Sequence, residues 1–183
     1  LQDMLARRGD AFVPYIQYKP GDPVNQWDAL NHSRNWSGFH LYAHGKPVDE
    51  HLSQCPRTAE ALAGVDTAEI AGLCPNAMFS ALSPGAHIPP HTGETNARLV
   101  AHLPLVVPDG CSYRVGYDRR QWREGKCWVF DDTIEHEARN DSDHVRVILM
   151  FDVWNPLLSH AERDMATALA GAMREWRSAG DVA

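Results

Sequence analysis

From residue 77 onward the chain alternates short apolar runs with breaks rich in proline and glycine, and this texture narrows the available folds more than any other feature. The runs 77–83, 98–107, 111–116, 126–131 and 144–154 read as strands, separated by SPGAHIPPHTG, PDG, DRRQWREG and ARNDSD. Strands this short, joined by turns this close, leave no room for the crossover helices of a parallel sheet. An antiparallel barrel or jelly roll follows, so the fold class is mainly β. WSGFHLYA at 36–43 adds an earlier strand, and 56–63 has the apolar spacing of a helix. Residues 1–35 combine a helix-like stretch at 1–8 with Pro14, Pro20, Gly21 and Pro23, and read as a flanking segment wrapped on the barrel. A final helix at 159–176 carries Met165, Leu169, Met173 and Trp176 at helical spacing, a stripe expected to pack against the sheet.

With 183 residues and 44% hydrophobic side chains, the chain is expected to form one domain, 1–183, with a substantial core. A formal charge of −7 and a pI near 5.8 argue against a general nucleic-acid binder. Arginine makes up 14 of the 17 basic residues, a bias toward side chains that clamp carboxylates with two parallel donors. Cys55, Cys74, Cys111 and Cys127 form no CxxC pair, which leaves disulfides open and removes any zinc-ribbon signal. The apolar stretch 145–153 is short and interrupted by Arg146 and Asp152, so no membrane span is expected; with no leader visible, a cytoplasmic location follows. Oligomeric state is not legible.

Of the ten histidines, three stand in informative contexts. His91 lies in a proline-conditioned turn before an apolar strand, and His136 follows WVFDDTIE into an acidic turn. Strand ends distant in sequence meet at one mouth of a barrel, so 45 residues do not keep this pair from sharing a metal. Arg146 stands in HVRVILMFDVW, where both alternating faces are apolar and a guanidinium needs an anion. That anion is either Asp131, Asp132 or Asp152 of the chain itself or the carboxylate of a bound molecule. His102, in RLVAHLPLVV, is either a satisfied core histidine or a donor to the same molecule. Asp131 and Asp132 can ligate, orient an imidazole or cap a turn.

The strings FSALSPGAHIPPHTGETNARLVAHLPLVVPDGCSYRVG and GKCWVFDDTIEHEARNDSDHVRVILMFDVWNP resemble the aspartyl/asparaginyl β-hydroxylase family of iron(II)- and 2-oxoglutarate-dependent oxygenases. The resemblance is most specific over 77–156 and extends more weakly back through NWSGFHLYAHG. It implies a double-stranded β-helix, a cupin-like jelly roll, flanked by an N-terminal segment and a C-terminal helix. It also implies that His91 and His136 are the metal ligands, and that Arg146, with Ser80 and His102, binds 2-oxoglutarate as cosubstrate. Arg98 matches an arginine that helps hold a carboxylate of the substrate. Gly93 matches a glycine of the animal peptide hydroxylases, standing where most related oxygenases carry a ligating carboxylate. Val100 departs from those enzymes, which have an arginine there, and this shifts weight onto Arg146, Ser80 and His102 or onto a substitute such as Arg114.

The implied activity is a 2-oxoglutarate-dependent dioxygenase that consumes molecular oxygen and hydroxylates an unactivated carbon. The expected substrate is an aspartyl or asparaginyl residue of an acidic peptide, or a related acidic small molecule. A free amino acid or lipid is the alternative within the same chemistry. A non-catalytic metal- or acid-binding β-barrel is the alternative outside it.

Overall fold

In a computed structural model, which describes residues 11–180, the strands form two antiparallel sheets. The helix-like stretch 1–8 lies outside the described residues. The larger sheet has the order β1 (Val13–Pro14), β2 (Trp36–Ala43), β4 (Ala77–Leu82), β11 (Arg146–Trp154), β6 (Arg98–Val106) and β9 (Trp128–Phe130), with β3 (Lys46–Pro47) also paired to β2. The smaller sheet has the order β5 (His87–His91), β10 (His136–Asn140), β7 (Cys111–Val115) and β8 (Asp118–Arg120). From β4 to β11 the chain passes back and forth between the sheets, which is the winding of a double-stranded β-helix. Helices α1 (Asp49–Gln54), α2 (Pro56–Ala63) and α3 (His160–Gly180) flank it, and a 3-10 turn spans Asn25–Leu30.

Strand β11 shows how the sequence divides the core. Val147 and Leu149 face outward into a cluster with Phe12, Phe39, Leu62 and Phe79 beneath the flanking segment and α2. Ile148 faces the other way, between the sheets, with Trp36, Ile88 and Tyr113. Arg146 shares that inner direction by the two-residue period of a strand, and is 1% exposed.

Two strands replace expected turns. β5 contains Pro89 and Pro90 yet forms a strand, because it lies at the edge of the smaller sheet and pairs only with β10. β10, HEARN, lacks an apolar alternation because its inward positions hold His136 and Asn140. The Asn140 amide donates to the carbonyls of Leu82 (2.9 Å) and His144 (2.7 Å), so a polar side chain fills a core position at no hydrogen-bonding loss.

The apolar stripe of α3 is a further correction. Met165, Leu169, Met173 and Trp176 are 68, 60, 48 and 79% exposed. The helix rests on Ala166 and Ala170 instead, packed against Ala68, Ile70 and Cys74. Small alanines let the helix axis approach that segment closely, and the bulkier stripe is turned away. No helix among the described residues is long and apolar enough to cross a membrane.

Candidate functional site

β5 and β10 place His91 and His136 directly opposite each other in register, with ring centroids 4.1 Å apart. A carbonyl two residues earlier in the chain fixes each ring: His91 Nδ1 donates to Pro89 O (2.8 Å) and His136 Nδ1 to Ile134 O (3.0 Å). With the proton held on Nδ1, both Nε2 lone pairs are available to one metal ion. Burial, then the neighbouring His136, push His91 down to about 4; burial also lowers His136. Both rings are therefore neutral at pH 7, the state in which imidazole ligates. Among the described residues no group of three or more His, Cys, Asp or Glu side chains is arranged to hold a metal ion, so no third such ligand accompanies this pair there.

These lowered values have a sign in stability. Between about pH 6.5 and 4 an unfolded His91 takes up a proton that the folded ring does not, so stability is lost as pH falls through that window, and the lowered His136 acts in the same direction. The urea midpoint of the metal-free protein is expected to drop from pH 7 to pH 5, and His91→Asn to flatten that slope. An unchanged slope in the variant would show that His91 titrates normally.

Beside the pair stands Asp132, 6% exposed, on the loop leading into β10. Its carbonyl accepts from Gly93 N (2.7 Å), and its carboxylate fills the space that any side chain at position 93 would enter. Glycine in HTGETN is thus a steric requirement of Asp132. Gly93→Ala is expected to displace Asp132 and destabilise the fold by about 1–3 kcal/mol, measured by urea unfolding. A neutral effect would mean that Asp132 moves aside freely. Asp131 plays a separate part: its Oδ1 accepts from Thr133 N (3.0 Å) and Oγ1 (2.7 Å), closing a turn.

Arg98 lies between two buried carboxylates, with Nη1 2.6 Å from Asp132 Oδ1 and Nε 3.4 Å from Asp152 Oδ1. Burial opposes its charge, but Asp152 and Asp132 outweigh that and raise its pKa. All three carboxylates expected as intramolecular partners for Arg146 are thus engaged elsewhere, Asp132 and Asp152 with Arg98 and Asp131 in its own turn. Asp152 is held in turn by Asn76, whose backbone N and Nδ2 donate to Oδ2 at 2.8 and 2.9 Å.

A cavity of about 690 Å³ runs from the histidine pair to Arg146. The Arg146 guanidinium makes only long contacts from Nη1, to Ser80 O (3.3 Å) and Oγ (3.4 Å), and stacks over the Trp122 ring at 4.8 Å. Burial lowers its pKa to about 10, which still leaves it cationic at neutral pH. Its Nε, His102 Nδ1, Tyr113 Oη and Trp122 Nε1 are all buried without a hydrogen-bond partner. Such a cluster is costly unless a bound molecule satisfies it. The structure thus brings together His91, His136, Arg146, Ser80, His102 and Arg98 around one cavity.

Arg114 does not join them. It faces outward, donating to Glu137 Oε1 (2.7 Å), Glu135 Oε1 (2.9 Å) and Gly116 O (2.7 Å), so it offers no substitute at Val100. Trp122 and Tyr113 flank Arg146 instead, and sequence reasoning passed over both. A tryptophan in the otherwise polar DRRQWREG was the available signal.

A family model described as aspartyl/asparaginyl beta-hydroxylase matches residues 15–156, most of the chain. The chain belongs to this family. The mouse aspartyl/asparaginyl beta-hydroxylase is 37% identical over 142 residues, covering 76% of this chain and 19% of the mouse protein. Human aspartate beta-hydroxylase domain-containing protein 2 is 39% identical over 134 residues, covering 72% and 36%. The ornithine lipid ester-linked acyl 2-hydroxylase of Rhizobium tropici is 40% identical over 164 residues, covering 88% of this chain and 54% of that protein. The chain therefore spans between about a fifth and about half of the length of these members of the family.

Proposed function

We propose that this β-hydroxylase family member is an iron(II)- and 2-oxoglutarate-dependent hydroxylase whose substrate presents a carboxylate to Arg98. The observation that carries this reading is the unpaired, buried Arg146 in one cavity with two neutral, carbonyl-oriented histidines. Iron(II), when bound, supplies the oxygen chemistry that converts 2-oxoglutarate to succinate and carbon dioxide while a carbon of the substrate is hydroxylated. His91 and His136 hold the metal through Nε2. Arg146 takes the far carboxylate of 2-oxoglutarate, so the 2-oxo acid end is aimed at the histidines. Ser80 Oγ already accepts from Trp36 Nε1 at 3.1 Å, so its own proton is free to reach the same carboxylate. His102 and Tyr113 wall the cavity on the Arg146 side and keep bulk water from it. Arg98, at the other end, orients an acidic group such as that of an aspartyl residue.

The Rhizobium relative, which covers 88% of this chain, supports a second reading, because it is named for hydroxylating a lipid acyl chain. Iron(II)-loaded protein should therefore be offered 2-oxoglutarate with aspartyl or asparaginyl peptides, free amino acids and ornithine lipid. Succinate and a product heavier by one oxygen are followed together. Oxygen gain on the peptide supports the first reading, and on the lipid the second. Metal retention with no 2-oxoglutarate turnover in any mixture would leave a non-catalytic barrel.

A further inference from the structure

Arg114 turns away from the cavity, yet it stands directly behind His136. β7 and β10 pair in unbroken register, with Val115 opposite His136 and Arg114 opposite Glu137. Side chains alternate across a sheet, so Glu137 points out of the cavity where His136 points in. The Arg114 guanidinium holds the residues on either side of His136. Its Nε donates to Glu137 Oε1 at 2.7 Å and its Nη2 to Glu135 Oε1 at 2.9 Å, while Nη1 anchors the fork on Gly116 O at 2.7 Å. One planar cation thus brackets His136 from the back of the sheet.

The bracket continues to the other histidine. Glu137 is 7% exposed, and its second oxygen, Oε2, lies 2.8 Å from Nε2 of His87, on β5 with His91. That link falls where the backbone pairing is poorest. Between His91 and Ile88 β5 spends three residues where β10 spends two, and the surplus lies at Pro89 and Pro90, which have no N–H to give the ladder. Side chains therefore carry an alignment of β5 on β10 that regular hydrogen bonds leave open beside the histidine pair. Two imidazoles share one metal ion only when both nitrogens stand about 2.1 Å from it, and a displacement of about 0.5 Å is enough to spoil such a site.

We propose that Arg114 is a positioning residue for the metal site: by gripping Glu135 and Glu137 around His136, and through Glu137 the His87 of the opposite strand, it sets the spacing of His91 and His136. This rests on the metal site of the proposed function and is independent of the substrate.

The test is metal binding without turnover, with Mn(II) as the probe of affinity, read by EPR, and Co(II) as the probe of geometry, read by its visible absorption bands. Arg114→Lys keeps the charge but has no fork to span three acceptors. It is expected to weaken Mn(II) binding about tenfold, the size of effect that supporting groups around a metal produce, and to shift the Co(II) bands. His87→Ala, which cuts the link to β5 with Arg114 in place, should move both readings in the same direction and serves if Arg114→Lys does not fold. Arg120→Gln, which removes an ion pair with Asp118 on the neighbouring β8, should move neither. Wild-type affinity and spectrum in Arg114→Lys, with or without a lower urea midpoint, would leave Arg114 as a structural residue or a source of charge alone, and would overturn the proposal. So would an equal loss in Arg120→Gln. Mn(II) affinity unchanged in His91→Ala would overturn it differently, by removing the metal site itself, and is thereby distinct from failure of the positioning role alone.

Discussion

Alanine at either His91 or His136 is expected to abolish succinate formation from 2-oxoglutarate and to weaken Mn(II) binding by more than about a hundredfold, the upper range for losing even a supporting residue. The expectation is this large because, among the described residues, the two nitrogens stand without a third side chain arranged to ligate. A site with three protein ligands keeps two after such a substitution, whereas this one keeps one. The fold should survive: each imidazole makes a single hydrogen bond to a carbonyl in its own strand or turn, and circular dichroism should show the sheets retained. EPR titration and a succinate assay check both halves. Wild-type metal affinity in either variant would end the assignment of this pair as ligands.

Arg146→Met should change two quantities in opposite directions. The KM for 2-oxoglutarate is expected to rise by about a hundredfold, because a fully buried charge-assisted clamp is worth several hydrogen bonds. The ligand-free protein, in contrast, should become more stable by about 1–2 kcal/mol. Arg146 is 1% exposed, has no carboxylate partner and leaves Nε unbonded. Burial has pushed its pKa down to about 10, so the charged form opposes folding at neutral pH instead of aiding it. Methionine of similar length removes that cost and keeps contact with Trp122. Urea unfolding without 2-oxoglutarate, set beside the KM, separates the effects. A loss of stability would show that the cation is satisfied from within the protein, and the case for a carboxylate ligand would weaken with it.

Much of this architecture is written in local pattern. The apolar runs with proline and glycine breaks define most strands of the larger sheet, and the alternation in VRVILMFDV turns Arg146 inward before any contact is known. The motif around HTGETN and TIEHE carries the histidine pair by resemblance. What local pattern conceals is the strands that carry those histidines, since edge prolines in β5 and polar inward residues in β10 erase the strand signal at the place where function concentrates. The exposed stripe on α3 is hidden for a related reason: periodicity shows that a helix has an apolar face, not that two alanines on another face lie closer to the body.

The pairing of charges belongs to tertiary structure alone. Sequence places Arg98, Arg146, Asp132 and Asp152 on or beside strands without saying which acid meets which base. The fold gives both acids to Arg98 and none to Arg146, because pairing depends on distances across the sheets of a fraction of a hydrogen-bond length. It also seats Trp122, from a polar loop, over the Arg146 guanidinium, and turns Arg114 outward. Period-two alternation along one chain determines which way a side chain points; only closure of the two sheets decides what it meets.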